Sequence, residues 1–143
     1  MLKALTPPQT KRGMVLIDPS YEEALDYKDA AETICSVYKK WTNGIFLLWY
    51  PLVSHRAQEI NEMINKITST VHQINQNTQI NNFQLCVYPK DAHKEVSLEE
   101  YENDKKNPPR LYGSGMLVIN TPWHLEQEAL EVIKLCESIF YCS

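Results

Sequence analysis

Asp18, Pro19, Ser20 and Tyr21 place a carboxylate, a proline and an aromatic ring in one short segment directly after an apolar run. A carboxylate accepts hydrogen bonds, and an aromatic ring can stack on another flat ring. Together these groups could hold a flat substrate. The same residues also suit a turn that ends a strand, with Ser20 or Asp26 starting the next segment. The four residues alone leave both interpretations open.

Four short apolar runs predict the strands that would position this segment. They are Met14–Ile17, Ile45–Tyr50, Phe83–Tyr88 and Met116–Ile119. The first two are apolar at every position, which is typical of strands in a parallel sheet that is covered on both faces. We therefore expect both faces of the first two strands to be buried.

Apolar residues recur at helical spacing in three segments between and after the strands. The predicted helices cover residues 27–41, 60–74 and 122–140, with starts marked by Asp26, Ser54 and Pro122 respectively. The alternation of strands and helices predicts an α/β fold with a parallel sheet.

Chemistry in sheets of this kind lies beyond the carboxyl ends of the strands. Asp18 to Tyr21 follow the first strand, Trp49 to Pro51 close the second, and Tyr88 ends the third. Trp49 and Tyr50 could therefore line a substrate pocket, although two aromatic residues at a strand end are as often part of the core. Both interpretations stay open for this pair.

Composition and charge narrow the class of protein. The 143 residues are 43% hydrophobic and 22% charged, which is typical of one globular domain. The net charge of −4 means that any nucleic-acid contact must be a local patch. No apolar run reaches the roughly 18 residues of a membrane span, and no secretory signal is present, so we expect a cytoplasmic protein without membrane contact. The spacing of its cysteines and histidines predicts no metal site.

The segment Asp18-Pro19-Ser20-Tyr21 resembles the [Asp/Asn/Ser]-Pro-Pro-[Tyr/Phe/Trp] motif of S-adenosylmethionine-dependent amino methyltransferases. Further blocks, in the same order, make the chain from about residue 2 to 140 similar to one family, the bacterial large-subunit (23S) rRNA adenine-N6 methyltransferases. These blocks are Leu5-Thr6-Pro7-Pro8, Lys11-Arg12-Gly13-Met14-Val15-Leu16-Ile17-Asp18-Pro19, Leu48-Trp49-Tyr50-Pro51, Gly113-Ser114-Gly115-Met116-Leu117-Val118-Ile119-Asn120 and Trp123-His124-Leu125-Glu126. The resemblance implies a class I, Rossmann-like methyltransferase sheet with flanking helices, and methyl transfer to the N6 amine of an adenine in 23S rRNA.

The resemblance also implies roles for the motif residues. Asp18 would be the catalytic carboxylate that accepts a hydrogen bond from the amine, Pro19 would offer a backbone carbonyl, and Tyr21 would stack on the adenine. Ser20, on the substrate side, stands where the family has a second proline. Because serine lacks the fixed φ of proline and adds an N–H, we expect a less rigid motif and lower activity in an intact fold.

Asn120-Thr121-Pro122-Trp123 looks like a second copy of the motif. The resemblance implies that the last strand runs antiparallel to the others, which puts this copy at the opposite edge of the sheet. We therefore expect a helix start here, with Trp123 packed against the protein.

Residues 89–112 show no apolar periodicity and predict a long solvated loop. Lys105, Lys106 and Arg110 give this loop clustered positive charge, although nearby acidic residues offset it. Since the loop leaves the third strand on the substrate side, these three residues are candidate contacts to 23S rRNA.

Proteins of the family are about twice as long, and the resemblance implies that residues 1–143 form one partial domain, its C-terminal half. The only Gly-x-Gly, Gly113-Ser114-Gly115, precedes a strand, whereas the cofactor turn of such folds follows one. Binding of S-adenosylmethionine by this chain alone is therefore doubtful, and the cofactor-binding residues are unknown.

Three functions stay open for such a chain. It could be the catalytic half of an rRNA methyltransferase, inactive without a complementary N-terminal half. It could instead be a non-catalytic RNA-binding remnant, or a truncated gene product with no role. We expect the apolar edge strand Met14–Ile17 to be covered by that N-terminal half, or by a second copy in a homodimer.

Overall fold

A computed structural model of the chain describes residues 7–8, 12–87 and 111–141. Strands and helices alternate through most of it, so the predicted α/β class is confirmed. The elements in chain order are β1 (Met14–Ile17), α1 (Ala24–Tyr38), β2 (Ile45–Val53), α2 (Ala57–Ile74), β3 (Ile80–Cys86), β4 (Leu111–Ile119) and α3 (Leu125–Tyr141).

The four strands form one mixed sheet in the order β1-β2-β4-β3. β1 and β2 are parallel, with Ile17 opposite Leu48. β4 lies between β2 and β3 and is antiparallel to both. The expectation of a fully parallel sheet is therefore wrong, whereas the antiparallel direction expected for the last strand is confirmed. Reversing β4 places its carboxyl end at the edge opposite the ends of β1 and β2.

β2 runs through Pro51 to Val53, beyond the predicted end at Tyr50. Proline removes a ladder donor, so it is normally excluded from a strand with a partner on each side. β1 pairs with β2 only as far as Leu48, so among the described residues Pro51 has a strand partner on one side only, at Ser114 of β4. The proline is accommodated because the neighbouring strand has already ended.

β3 and β4 both start earlier than predicted. The prediction missed these starts because polar residues in β3 and glycines in β4 interrupt the apolar pattern on which it rested. β3 starts at Ile80 instead of Phe83, and β4 starts at Leu111 instead of Met116. The ring of Tyr50 crosses β4 at Gly115, and its hydroxyl donates to Asn82 Oδ1 at 2.7 Å. Gly115 thus leaves space for the buried Tyr50 ring, and Asn82 accepts a hydrogen bond from its hydroxyl.

Each helix begins at a different residue than predicted. Asp26 is not the N-cap of α1 but its third residue, with Glu23 as N-cap, and its carboxylate accepts the Glu23 N–H at 3.1 Å. α2 starts after Arg56, not after Ser54. α3 starts at Leu125, whose N–H donates to the Pro122 carbonyl, so Pro122 belongs to the preceding turn.

The core lies between α1, α2 and one face of the sheet. Phe46, Leu48 and Tyr50 project from β2 into it and are fully buried. Cys35 and Cys86 are buried, Cys136 is half-buried, and Cys142 lies outside the described residues. None of the described helices is both long and apolar enough to span a membrane.

The other face of the sheet, here called the open face, is only partly covered. α3 lies over its β3 and β4 side and borders an open groove of about 440 Å³ lined by Leu47, Trp49, Met116 and Val118. On β1, Met14 is 66% and Leu16 is 60% exposed. The expectation that β1 is buried on both faces is therefore wrong, because within the described residues nothing covers this part of the sheet.

Substitution of Gly115 by alanine tests the packing of Tyr50. A Cβ atom at position 115 would collide with the Tyr50 ring, which has no free space because it is fully buried. We expect Gly115→Ala to lower the free energy of unfolding by about 1–3 kcal/mol, the usual cost of overpacking. The measurement is urea unfolding followed by circular dichroism.

Gly13→Ala is the matched control, because a Cβ at position 13 would meet Trp41 at an ordinary 3.5 Å. We expect it to leave stability unchanged. Equal stabilities of the two variants would show that Tyr50 does not depend on the glycine.

Candidate functional site

The loop between β1 and α1 carries the motif Asp18 to Tyr21 at the carboxyl end of β1. Because Ile17 pairs with Leu48, Asp18 is level with Trp49 of the neighbouring strand. Asp18 and Ser20 are exposed, and Pro19 is half-buried. A carboxylate is therefore presented to solvent at the edge of the sheet where α/β proteins bind their substrates.

Tyr21 differs from its neighbours because its side chain turns into the protein. Its φ of 54° is left-handed, and its side chain is 8% exposed. Its hydroxyl donates to the Trp49 carbonyl at 2.8 Å and lies 3.9 Å from Met63 Sδ. The ring centre is 4.6 Å from that of Tyr27. In this conformation Tyr21 ties the motif loop to β2 and to the start of α1.

The ionisation of Tyr21 is suppressed by this position. Burial raises the pKa of Tyr21, and the neighbouring Tyr27 and the Asp18 carboxylate raise it further. The phenol therefore stays neutral and remains a hydrogen-bond donor to the Trp49 carbonyl.

Ser20 contacts the cap of α1. Its hydroxyl is 3.5 Å from Asp26 Oδ2, the atom that also accepts the Glu23 N–H. The interpretation of this segment as a strand-ending turn is thus partly realised, since Ser20 and Asp26 do organise the start of the next helix. The turn leaves Asp18 on the outside, so the two interpretations of the segment are compatible.

Trp49 and Tyr50 lie within β2 and project to opposite faces, as consecutive strand residues do. Trp49 is half-buried on the open face, where it lines the groove beneath α3. Tyr50 is fully buried on the other face, where its hydroxyl contacts Asn82 and Gln84. Burial raises the pKa of Tyr50 as well. The two rings therefore do not share one pocket.

A polar cluster that the sequence did not indicate lies at the same edge, where α2 begins. Arg56 Nη1 and Glu59 Oε1 form an ion pair of 2.7 Å. Burial lowers the pKa of the adjacent His55, and the Arg56 charge lowers it further. Tyr27 is fully buried nearby, and burial raises its pKa. Only the i, i+3 spacing of Arg56 and Glu59 could have suggested their pairing.

The predicted rRNA contacts Lys105, Lys106 and Arg110 lie outside the described residues. In residues 12–87 and 111–141, no three histidine, cysteine or acidic side chains gather where they could hold a metal ion.

Gly113 and Gly115 do not form a cofactor turn. Both lie inside β4, opposite Cys86 and Gln84, and the space above Gly115 is filled by Tyr50. The described residues therefore do not fit the glycine-rich turn that holds S-adenosylmethionine in folds of this class.

Comparison with known proteins confirms the family resemblance. The family model described as "Ribosomal RNA large subunit methyltransferase D, RlmJ" matches residues 1–140. The protein named ribosomal RNA large subunit methyltransferase J from Escherichia coli K12 is 37% identical over 133 residues, which cover 92% of this chain and 39% of that protein. Its namesake from Haemophilus influenzae is 31% identical over 132 residues, again with 92% and 39% coverage.

A solved structure is also similar in fold. The crystal structure of protein LPL1258 from Legionella pneumophila, of the family DUF519, matches with a TM-score of 0.67 and 25% identity, over 97% of this chain and 43% of that one. The chain thus spans about two fifths of the length of the proteins it matches. Since the family model covers nearly all of its residues, the chain belongs to the RlmJ family of ribosomal RNA large subunit methyltransferases.

Proposed function

We propose that this chain positions the N6 amine of an adenine in 23S rRNA for methylation. The observation that carries the proposal is the Asp18 carboxylate, which is exposed at the carboxyl edge of β1 in a chain of the RlmJ family. The curated relatives are named as methyltransferases of the large-subunit rRNA, which supports the substrate class. Such a substrate would place the protein in the cytoplasm.

Two acceptors would orient the amine in this proposal. The exposed Asp18 carboxylate accepts one N–H, and the carbonyl of Pro19 is the second acceptor. Preorganised acceptors of this kind cost no rearrangement during the reaction. Methyltransferases of this family take the methyl group from S-adenosylmethionine, for which the described residues provide no holding turn. The roles assigned to this chain are therefore binding and orienting the base.

Tyr21 would have to leave its buried position to stack on the adenine. That movement breaks its hydrogen bond to the Trp49 carbonyl and its contact with Tyr27. It also releases a left-handed backbone conformation, which costs a non-glycine residue about 1–2 kcal/mol.

A non-catalytic RNA-binding remnant is the second candidate. It is favoured by two observations: the buried position of Tyr21 and the use of Gly113 and Gly115 for packing instead of cofactor binding. The two candidates differ in whether methyl transfer occurs when the rest of the domain is supplied.

The first prediction concerns catalysis by the chain mixed with a polypeptide that corresponds to the remainder of the Escherichia coli relative. Asp18→Ala should lower the single-turnover rate of methyl transfer to unmodified 23S rRNA by about 10²–10³-fold, since it removes one preorganised acceptor. Ser20→Pro should retain the activity or raise it, because it restores the family motif. The assay measures transfer of labelled methyl from S-adenosylmethionine.

Asp29→Ala is the matched control, because Asp29 is an exposed carboxylate on α1 away from the motif. It should leave the rate unchanged. Full activity of Asp18→Ala would assign the acceptor role to another group. If all variants bind rRNA but none transfers methyl, the remnant is the better description.

The second prediction concerns the open face. Met14 and Leu16 are exposed on an edge strand, and such an edge is a template for pairing. We propose that a complementary methyltransferase half covers it when present, and that the chain alone forms a homodimer through β1. Sedimentation velocity across concentrations should show this dimer, and Leu16→Lys should shift it toward the monomer.

Leu25→Lys is the control for this experiment. Leu25 is 56% exposed, close to the exposure of Leu16, but it lies on α1 instead of the sheet. A wild-type chain that stays monomeric at high concentration, or equal effects of both substitutions, would contradict pairing through β1.

A further inference from the structure

Two buried polar atoms in the first turns of α1 and α2 make no hydrogen bond. They are the Tyr27 hydroxyl and Glu59 Oε2, and neither has a partner among the residues that the structure describes. Tyr27 is only 1% exposed, so its hydroxyl is shielded from bulk solvent. A buried polar group without a hydrogen bond is unfavourable and is rare in folded proteins. The surroundings of Tyr27 therefore hold unused hydrogen-bonding capacity.

The two atoms are chemically complementary. Burial raises the pKa of Tyr27, so the phenol keeps its proton and can donate a hydrogen bond. Glu59 Oε1 is bound to Arg56 Nη1 at 2.7 Å, whereas Glu59 Oε2 can accept a further hydrogen bond. A hydrogen bond to a carboxylate is among the stronger ones in proteins, because the acceptor is charged.

Tyr27 and Glu59 also face the same space. Both line a pocket of about 230 Å³ between α1 and α2, and Met63 lines it with them. Met63 follows Glu59 by four residues, so the two side chains lie one above the other on the same face of α2. The Tyr27 and Glu59 side chains are therefore groups that can meet across this pocket.

Tyr21 packs against both Tyr27 and Met63. Its ring centre is 4.6 Å from that of Tyr27, and its hydroxyl lies 3.9 Å from Met63 Sδ. If Tyr21 left its buried position, space would open beside the Tyr27 ring and beside Met63, one helical turn from Glu59. The buried Tyr21 side chain thus restricts the movement that would bring the Tyr27 hydroxyl toward Glu59.

We propose that Tyr27 is a positioning residue that acts on Tyr21 through Glu59. While Tyr21 is buried, the Tyr27 hydroxyl and Glu59 Oε2 stay unpaired. When Tyr21 moves out to stack on the adenine, the Tyr27 ring turns into the freed space and its hydroxyl donates to Glu59 Oε2. The inference rests on the proposed function, which requires that Tyr21 moves.

The new hydrogen bond offsets part of the cost of exposing Tyr21. That cost includes the hydrogen bond from the Tyr21 hydroxyl to the Trp49 carbonyl. A conformation that binds a base but is rarely populated lowers the apparent affinity in proportion to its population. The Tyr27 hydroxyl therefore raises the affinity for the base without contacting it.

The first measurement is urea unfolding followed by circular dichroism, which needs no RNA. In the wild-type chain, Tyr27→Phe should leave the urea midpoint unchanged or raise it, since it removes a hydroxyl without a partner. In a Tyr21→Gly chain, Tyr27→Phe should lower the midpoint, because the hydroxyl then donates to Glu59. Adding Glu59→Ala to the Tyr21→Gly chain should abolish this effect. Glycine is chosen because the φ of Tyr21 is 54°.

Tyr38→Phe is the matched control. Tyr38 is also buried on α1, but its hydroxyl shares a hydrogen bond of 2.8 Å with Thr78 Oγ1. This variant should lower the midpoint equally in the wild-type and Tyr21→Gly chains. A lower midpoint of Tyr27→Phe in the wild-type chain would overturn the inference, because it would show that the hydroxyl is already paired. The same effect of Tyr27→Phe in both chains would overturn it as well.

The second measurement is binding of a labelled single-stranded oligoadenylate, followed by fluorescence anisotropy. Tyr27→Phe should weaken binding roughly 10- to 100-fold, the equilibrium equivalent of one hydrogen bond to a charged group. It should have no effect in the Tyr21→Gly chain, because Tyr27 acts through Tyr21. Tyr38→Phe should bind like the wild type. If the Tyr21→Gly chain does not fold, the affinity of Tyr27→Phe alone decides.

Two binding results would contradict the positioning role. Equal weakening by Tyr27→Phe with and without Tyr21 would assign Tyr27 a contact of its own, and absence of binding by the wild-type chain would remove the link to the base. The methyl-transfer assay separates this inference from the proposed function. Asp18-dependent transfer together with wild-type behaviour of Tyr27→Phe rejects only the role of Tyr27. Opposite effects of Tyr27→Phe in the two chains without any methyl transfer reject only the methylation role.

Discussion

The Tyr50 side chain joins three of the four strands that the structure describes, β2, β4 and β3. The ring starts on β2, crosses β4 where Gly115 has no side chain, and reaches Asn82 and Gln84 on β3. This packing fixes which face of β2 is the core. Because strand residues alternate, it also fixes Trp49 on the open face. The main-chain carbonyl that receives the Tyr21 hydroxyl belongs to that same residue.

In the proposed function, Tyr21 would first stabilise the loop and then bind the base. Its buried hydrogen bond and its contact with Tyr27 stabilise the loop while no substrate is present. An aromatic ring that stacks on a base must be exposed for that purpose, so binding would have to offset the loss of both interactions. The left-handed backbone of Tyr21 lowers this cost, since part of the strain is released when the residue moves. The free energy of base binding would therefore be lowered by the stabilisation that the loop loses when Tyr21 moves.

The α/β class, the helices and the edge that carries Asp18 could be predicted, because each follows from a local pattern. Continuous apolar runs marked Met14–Ile17 and Ile45–Tyr50, and helical spacing marked α1 and α2. The antiparallel direction of β4 came from the family resemblance and not from any periodicity. It could not be derived from the residues themselves, since strand direction is decided by contacts between distant segments.

The wrong predictions for β3 and β4 share one physical cause, which is contacts between residues that are far apart in the sequence. The polar residues at the start of β3 hid that part of the strand, although Asn82 accepts a hydrogen bond from the Tyr50 hydroxyl, and the glycines at the start of β4 hid that part of the strand, although Gly115 leaves space for the Tyr50 ring. Trp123 looked like a packing residue because large aromatic residues usually are buried. The expectation is wrong, because Trp123 is 88% exposed in the turn before α3 starts at Leu125.

The four-residue length of β1 limits how any further chain can join the sheet. Backbone groups of a strand point to alternate sides, so only two residues of β1 direct their N–H and C=O groups away from β2. Beyond Leu48 the exposed side of β2 includes Pro51, which has no N–H to donate. An added strand would therefore gain few ladder hydrogen bonds and would depend on apolar contacts with Met14 and Leu16. Its affinity should accordingly vary with temperature as hydrophobic association does, weakening as the solution is cooled.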